Sequence, residues 1–300
     1  MKVFVTGATG YIGSAVAGAL AAAGHVVVGL ARSEKKAREV EARGLFSHIG
    51  DLRDPLNLAM AAREAHCVVH AAMDWGPDGG ALDEAFVDAT LEAQAGSGRI
   101  FIYTSGVWVM GDTRGLVKGE GSALDPPAIV KWRPVVEKKV LDATGRRVRG
   151  IVIRPAIVYG RGGGMIAGML KSAQQCGAAP VVGKGENHWS FVHIDDVSEL
   201  YKRLVDKTPA GELYIAAAGP AIRVLDLAEA VSRAAGAEGR VDTHPLEEAR
   251  EEMGGMADAL ALDQKIGSTK AFRQLGWIPR GPSLMEELRS GSYTARKAAI

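Results

Sequence analysis

The chain has 300 residues, 47% hydrophobic and 24% charged, enough for one large globular domain or two modest ones with a full apolar core. Thirty-six basic residues against thirty-five acidic ones leave a formal net charge of +1, without the long basic runs of a nucleic-acid or membrane-surface binder, so small-molecule partners are expected. The two cysteines, Cys67 and Cys176, lie far apart and lack metal or redox spacing, which argues against a disulfide scaffold or a cysteine metal site and fits reduced thiols.

The chain opens on MKVFVTGATG, an apolar run that enters a glycine turn at once, without the charged flank and cleavage site of a signal peptide. No later apolar run reaches the length of a membrane helix, and a cytoplasmic protein is expected. Short β-rich runs then alternate with Ala/Glu/Arg-rich amphipathic segments. The predicted strands are KVFVT (2–6), HVVVGLA (25–31), LFSHI (45–49), CVVHAA (67–72), RIFIYT (99–104) and RGIVIRP (149–155). Parallel strands need crossover helices, so this alternation predicts a doubly wound parallel α/β sheet over residues 1–160. Past RPAIVYGRGGG the pattern becomes irregular, with Gly-rich bends and short strands and helices through ELYIAAAGP, LDLAEAVSRAAG and LMEELRSGS. Residues 161–300 are therefore expected to form a smaller, interleaved α/β substrate lobe, some of whose segments return to the sheet, and GGMADALALDQ to run from a loop into a helix.

Directly after the first strand, TGATGYIGSAVAGALAAAG places Gly7, Gly10 and Gly13 at the mouth of a helix rich in small residues. Gly7 permits the tight turn, Gly10 lets the backbone approach a pyrophosphate, and Gly13 permits close helix–strand packing. The helix N-terminus adds free N–H donors and positive potential, a combination suited to phosphate.

The spacing TGxxGxxG, followed by GDLRDP, VVHAA, IFIYTSGVWVMG, IRPAIVYGRGG and FVHIDDVSELY, resembles the extended branch of the short-chain dehydrogenase/reductase superfamily, the NAD-dependent epimerase/dehydratase family. The tail, with LGWIP, is compatible. The resemblance implies that residues 1–160 are a Rossmann-type domain binding a nicotinamide dinucleotide, contacted by Gly7, Thr9, Gly10, Tyr11, Ile12 and Gly13 in the turn and by Leu52 and Pro155 farther on. At the end of the second strand, VVVGLARSEKK, the acidic slot of NAD-selective folds falls near Ala31, followed by Arg32 and Ser33. Glu34 competes for that role, but Arg32, Lys35 and Lys36 favour a 2′-phosphate, so NADP is expected ahead of NAD; the alternative is a solvated helix start. Asp51 matches the family's adenine-contacting aspartate or else caps the next helix, which begins at Asp54-Pro55. Ala71 and Ala72 match the strand end beside the nicotinamide ribose, with His70 packed just before them.

The family's working residues are an asparagine, a serine or threonine at the end of the fifth strand, and a YxxxK pair on the next helix, where the lysine lowers the tyrosine pKa from one turn away. Here the tyrosines are Tyr11, Tyr103, Tyr159, Tyr201, Tyr214 and Tyr293, and none lies between the fifth and sixth strands. In that segment, IVKWRPVVEKK, the tyrosine slot holds Ile129 or Trp132 and the lysine slot Arg133 or Val136, depending on register. Arginine stays protonated and cannot replace a titrating residue. The asparagines, Asn57 and Asn187, lie elsewhere, and Pro134 places the start of the helix near itself, with the helix running on to Gly145. Ser105 and Thr104 stand just before the family's hydroxyl position, which is Gly106; either could bond a substrate carbonyl or simply a backbone group. Lys131 is an unorthodox base or a solvated cation, and Tyr159 is a cleft acid or a packing residue. His193 with Asp195 and Asp196 resembles the family's lobe-bracing segment, and Trp75, Trp108, Trp132 and Trp189 line an apolar cleft or pack in the core.

Two functions follow as expectations. One is an atypical NAD(P)-dependent oxidoreductase or epimerase/dehydratase-like enzyme acting on a small carbonyl, alcohol or sugar-like substrate through Ser105, with Tyr159 or water. The other is a catalytically silent, NADP-binding sensor. The family resemblance is compatible with a homodimer.

Overall fold

Seven runs dense in Val, Ile, Phe and Tyr assemble into one parallel sheet in the computed structural model, which describes residues 1–207 and 209–294. Its strands are β1 (Lys2–Thr6), β2 (Val26–Ala31), β3 (Phe46–Ile49), β4 (Cys67–His70), β5 (Ile100–Thr104), β6 (Arg149–Pro155) and β7 (Glu212–Ala216). Their spatial order is β3-β2-β1-β4-β5-β6-β7, every pair parallel. The crossover segments are α1 (Tyr11–Ala22), α2 (Glu34–Glu41), α3 (Pro55–Arg63), α4 (Gly79–Ala93) and α5 (Arg133–Asp142), so the sheet is covered on both faces. That coverage explains the continuous apolar strands: Val3, Phe4, Val5, Val68, Val69, Phe101, Ile102 and Ile151 are all fully buried. The six strands expected from sequence are all present. The strand order reverses beside β1, where α1 leads to β2 on one side while β4 lies on the other, and ligands of such folds bind outside the carboxyl ends at that point. The register Thr6↔His70↔Tyr103 and Thr104↔Ile153 brings those ends together.

After β6 the chain builds a second core. A three-stranded sheet of residues Ile157–Tyr159, His188–His193 and Ala218–Arg223 and a two-stranded one of Ala179–Val182 and Val241–His244 pack with α6 (Gly164–Cys176) and the helix Val224–Ala234. Between them α7 (Ile194–Lys207) returns to the first core and packs beside α1, presenting Ile194, Val197, Leu200, Tyr201, Leu204 and Val205 at helical spacing. The run ELYIAAAGP is divided between the two parts. Its first half is buried from Leu213 to Ala216 and pairs with β6, so it belongs to the main sheet; the second half is more exposed and opens the strand Ala218–Arg223, which pairs antiparallel with His188–His193. GGMADALALDQ holds the helix Gly255–Ala261, but in the reverse of the expected order: the helix begins at the second residue and the extended segment 262–264 follows it. No helix among the described residues is long and apolar enough to cross a membrane.

Candidate active site

A cleft of about 600 Å³ runs along the carboxyl ends of β1, β2, β4, β5 and β6, from the glycine turn to the start of α6. At its first end Gly7 has φ +70°, and a Cβ there would stand 2.5 Å from the Ala71 carbonyl oxygen. A Cβ on Gly13 would stand 2.2 Å from the Gly7 oxygen, so α1 can approach the turn this closely only because residue 13 has no side chain. Gly10 precedes α1 and supplies no side-chain cap, and its N–H donates to Gly7 O at 2.8 Å. The first-turn amides of α1 are thus without a side-chain partner where Thr9, Tyr11, Ile12 and Gly13 line the cleft. Tyr11 also joins the two lobes: its hydroxyl donates to Gly160 O at 2.7 Å.

Arg32, Lys36, Asp51 and Leu52 line the same end of the cleft. Asp51 Oδ1 accepts from Arg53 N at 2.9 Å, whereas the cap of α3 is Asp54, which accepts from Asn57 N at 3.2 Å; the capping alternative for Asp51 is thereby removed. The Ser33 hydroxyl caps α2, accepting from Lys36 N at 3.3 Å, next to Arg32 at the end of β2.

At the sheet's edge a buried polar network fixes the middle of the cleft. Thr6 Oγ1 accepts from Ala71 N and Ala72 N, both at 3.2 Å, which leaves its proton for His70 Nδ1 at 2.6 Å. His70 Nε2–H donates to Asp83 Oδ1 at 2.8 Å, and the other carboxylate oxygen accepts from Tyr103 OH at 2.5 Å and Trp132 Nε1 at 2.9 Å. Burial alone would raise the Asp83 pKa, yet the hydrogen bonds from His70, Tyr103 and Trp132 hold the carboxyl below the usual carboxylate range. The Tyr103 phenol is pushed far up by burial and by the Asp83 charge, and stays protonated. His70 is a packed strand residue, as expected, but the acid it faces on α4 was not singled out in the sequence.

At the far end, Thr104, Ser105, Gly106, Arg133 and Pro155 line the cleft. Ser105 is 6% exposed, its amide is tied to Ile153 O, and its Oγ finds no hydrogen-bond partner in the protein. Thr104 is committed elsewhere: its hydroxyl shares a 2.6 Å hydrogen bond with Tyr201 OH, itself kept protonated by burial. The question posed by IVKWRP has a structural answer. Ala128–Val130 forms a 3-10 turn, α5 begins at Arg133, and Trp132 faces α4, its indole bonded to Asp83 and its ring over Gly80. Arg133 lies with its guanidinium 5.9 Å from the centroid of the Trp132 ring and lines the cleft, donating from Nη1 to Thr104 O at 3.2 Å. The helix is regular from Arg133 to Asp142, with a 3-10 turn to Arg146.

Tyr159 is a correction. Its hydroxyl donates to Pro282 O at 2.8 Å and its ring packs edge-on against Phe191 and His193 in the second core, outside the cleft wall. The strand Ile157–Tyr159 lines the cleft through Ile157 and Val158 and carries the Tyr159 ring past it into the second core. Asp196 bonds the Arg280 and Gly281 amides, bracing the lobes, and no cluster of potential metal ligands occurs among the described residues. Trp75 and Trp108 meet edge-to-face at 6.5 Å on the cleft wall, whereas Trp189 is buried in the second core with its indole on Leu260 O.

The amino-acid sequence matches the NAD dependent epimerase/dehydratase family over residues 3–95 and 136–217, more than half of the chain. The chain belongs to this family. Ser105, Trp132 and Arg133 fall between the two matched segments. An uncharacterized protein of Schizosaccharomyces pombe is 32% identical, over 98% of this chain and 100% of its own length. A 4-hydroxy-2-methyl-3-oxo-4-farnesyl-3,4-dihydroquinoline-1-oxide ketoreductase of Stigmatella aurantiaca is 28% identical, over 83% of this chain and 78% of its own. Among solved structures, a UDP-glucose 4-epimerase of Thermotoga maritima, determined with UDP-glucose, superposes with a TM-score of 0.81 at 20% identity, over 98% of this chain and 97% of that one. That likeness is one of fold. The family's dinucleotide fits the glycine turn here, because Gly7 and Gly13 admit no Cβ and α1 offers uncapped amides.

Proposed function

We infer that this family member is an NADP(H)-dependent oxidoreductase that reduces the carbonyl group of a small-molecule substrate, with Ser105 as the side chain that polarises the carbonyl. Gly7, Thr9, Gly10, Tyr11, Ile12 and Gly13 would hold the diphosphate, Asp51 and Leu52 the adenosine side, and Ala71, Ala72 and Pro155 the nicotinamide side. Arg32 and Lys36, on the wall beside the end of β2 with no acidic side chain in the slot, support the 2′-phosphate and thus NADP over NAD. The observation that carries the catalytic reading is the buried Ser105 hydroxyl, without a protein partner, on the same cleft as the glycine turn. A buried hydroxyl left without a partner costs about 1–3 kcal/mol, which a substrate oxygen would recover. A bound reduced nicotinamide supplies the two electrons. The reductases among the relatives, including one named for a 2-alkyl-3-oxoalkanoate, support reduction rather than epimerisation. Cytoplasmic residence belongs to the same reading, since Cys67 and Cys176 are both free thiols.

A sensor that binds NADP without turning over draws its support from a different observation: the hydroxyls of Tyr103, Tyr159 and Tyr201 are all engaged within the protein. Titration with NADPH and NADH, followed by a panel of ketones, aldehydes and nucleotide sugars monitored by loss of reduced nicotinamide, decides between the two. Turnover of a ketone or aldehyde with NADPH is the expected result, abolished or strongly slowed in Ser105→Ala. Tight NADPH binding without turnover across the panel would favour the sensor, and tighter NADH binding would reverse the cofactor preference.

A further inference from the structure

Arg133 contributes a charge that Ser105 chemistry alone leaves unused. The residue is 9% exposed, lines the cleft and is fixed on two sides, Nη1 on Thr104 O at 3.2 Å and Nη2 on Met73 Sδ at 3.3 Å. Its Nε is buried without an acceptor. The neighbouring carboxylates are engaged by other groups: Asp74 by Arg53, Asp83 by His70, and Glu137, one turn along α5, by Arg154. Residues four apart on a helix are natural ion partners, but Glu137 is taken by Arg154, so among the described residues the buried Arg133 guanidinium forms no ion pair with a carboxylate and has the Trp132 ring 5.9 Å away. Such a charge is costly to bury, and a ligand that supplies negative charge offsets that cost. Ser105 Oγ, at the end of a different element, lacks a partner on the same wall.

We propose that Arg133 is a further catalytic residue: with Ser105 it donates to the oxygen of a carbonyl substrate and holds the negative charge that grows there during reduction. This rests on the oxidoreductase reading above. In the step a C–H bond forms at the carbonyl carbon with the hydride of the reduced nicotinamide, the C=O π bond breaks, and its electron pair settles on oxygen. The nicotinamide is oxidised and the carbonyl reduced. A water molecule protonates the alkoxide and its hydroxide passes to solvent, since arginine does not give up its proton. A fixed charge replaces the tyrosine that would otherwise give the proton, and it acts as an oxyanion site. The rest of this end of the cleft, Met73, Trp75, Val107, Trp108, Val130 and Met165, offers apolar and aromatic surface, which suits a carbonyl on an apolar, ring-bearing molecule and leaves the hydroxyls of a sugar unbonded.

The test uses 2-naphthol, whose anion mimics the oxyanion and whose absorbance distinguishes naphthol from naphtholate. The full chain, free and with NADP⁺, is expected to bind the anion in preference, so that the bound probe ionises at lower pH than in buffer. Arg133→Met should weaken naphtholate binding about 10- to 100-fold, the scale of a lost charged hydrogen bond, while NADPH affinity stays near wild type. Added guanidinium chloride should restore part of that binding. Wild type without preference for the anion, or Arg133→Met with naphtholate binding intact, overturns the proposal while leaving NADPH binding and Ser105 untouched. Equal loss of NADPH and naphtholate also overturns it, because Arg133 then serves the cofactor. If Arg133→Met does not fold, Arg133→Gln decides: it keeps a polar side chain but removes the charge, and an unchanged ratio of naphtholate to naphthol affinity counts against the proposal. Wild type that binds no NADPH sinks the oxidoreductase reading, and the naphthol titration of the free chain still tests Arg133.

Discussion

The β1–α1 corner and the β5–α5 corner face each other across one cleft, but they are built by opposite means. The first is made of main chain: Gly7, Gly10 and Gly13 remove side chains so that amides and a helix end are exposed to a ligand. The second is made of side chains: Trp132 reaches away to Asp83, Arg133 reaches in to Thr104, and Ser105 stands without a partner. A main-chain site depends on the absence of atoms and tolerates almost no substitution. A side-chain site depends on which direction each residue takes, and it can be rebuilt with different chemistry while the fold stays the same.

The sharpest way to break this contrast is Gly13→Ala. The added Cβ must escape a 2.2 Å approach to Gly7 O, and overpacking of this kind costs up to about 3 kcal/mol, so NADPH affinity should drop about 100-fold, measured by calorimetric titration. An alanine that left affinity unchanged would mean that the diphosphate lies elsewhere. At the second corner Asp83→Asn should remove about 2–3 kcal/mol of stability in denaturant unfolding, because three donors converge on that carboxylate. The difference should also depend on pH. The folded-state pKa of Asp83 lies below the unfolded value of about 3.9, so its contribution is present above that value and is lost as pH falls through the lower folded pKa. The gap between wild type and Asp83→Asn is therefore expected to be steady near neutrality and to close in acid.

Smaller effects sharpen the comparison further. Removing both cleft cations, Arg32→Ala with Lys36→Ala, should weaken NADPH about tenfold and NADH little, as measured by fluorescence titration. Equal weakening of the two cofactors would detach these cations from the 2′-phosphate. Tyr159→Phe should lower stability by about 1 kcal/mol through its lost bond to Pro282 O and leave turnover near wild type. Loss of turnover in that variant would return Tyr159 to the chemistry.

The same contrast explains what could be read from the sequence. The six N-terminal strands and the glycine turn were legible because period, apolar runs and glycine spacing are local signals. Glu212–Ala216 was less so, since nothing local assigns an apolar run to one of two adjacent sheets. Asp83 stands among Asp78, Glu84 and Asp88 around one helix, and only the packing of β4, β5 and Trp132 against α4 singles it out. Tyr159 was misplaced by the direction of one side chain, whose hydroxyl goes to Pro282 O and whose ring goes to the second core. That residues 129–139 hold no tyrosine was visible, but where the guanidinium of Arg133 points was not, because it depends on the packing of α5 against β5.

A crystal structure of the chain with NADPH bound tests the whole arrangement in one step. The diphosphate is expected over the amides between Gly7 and Gly13, with the reactive face of the nicotinamide open to Ser105 Oγ and the guanidinium of Arg133. A nucleotide bound away from that turn, or a phenol of Tyr103, Tyr159 or Tyr201 released from its present partner and standing over the nicotinamide, would contradict it.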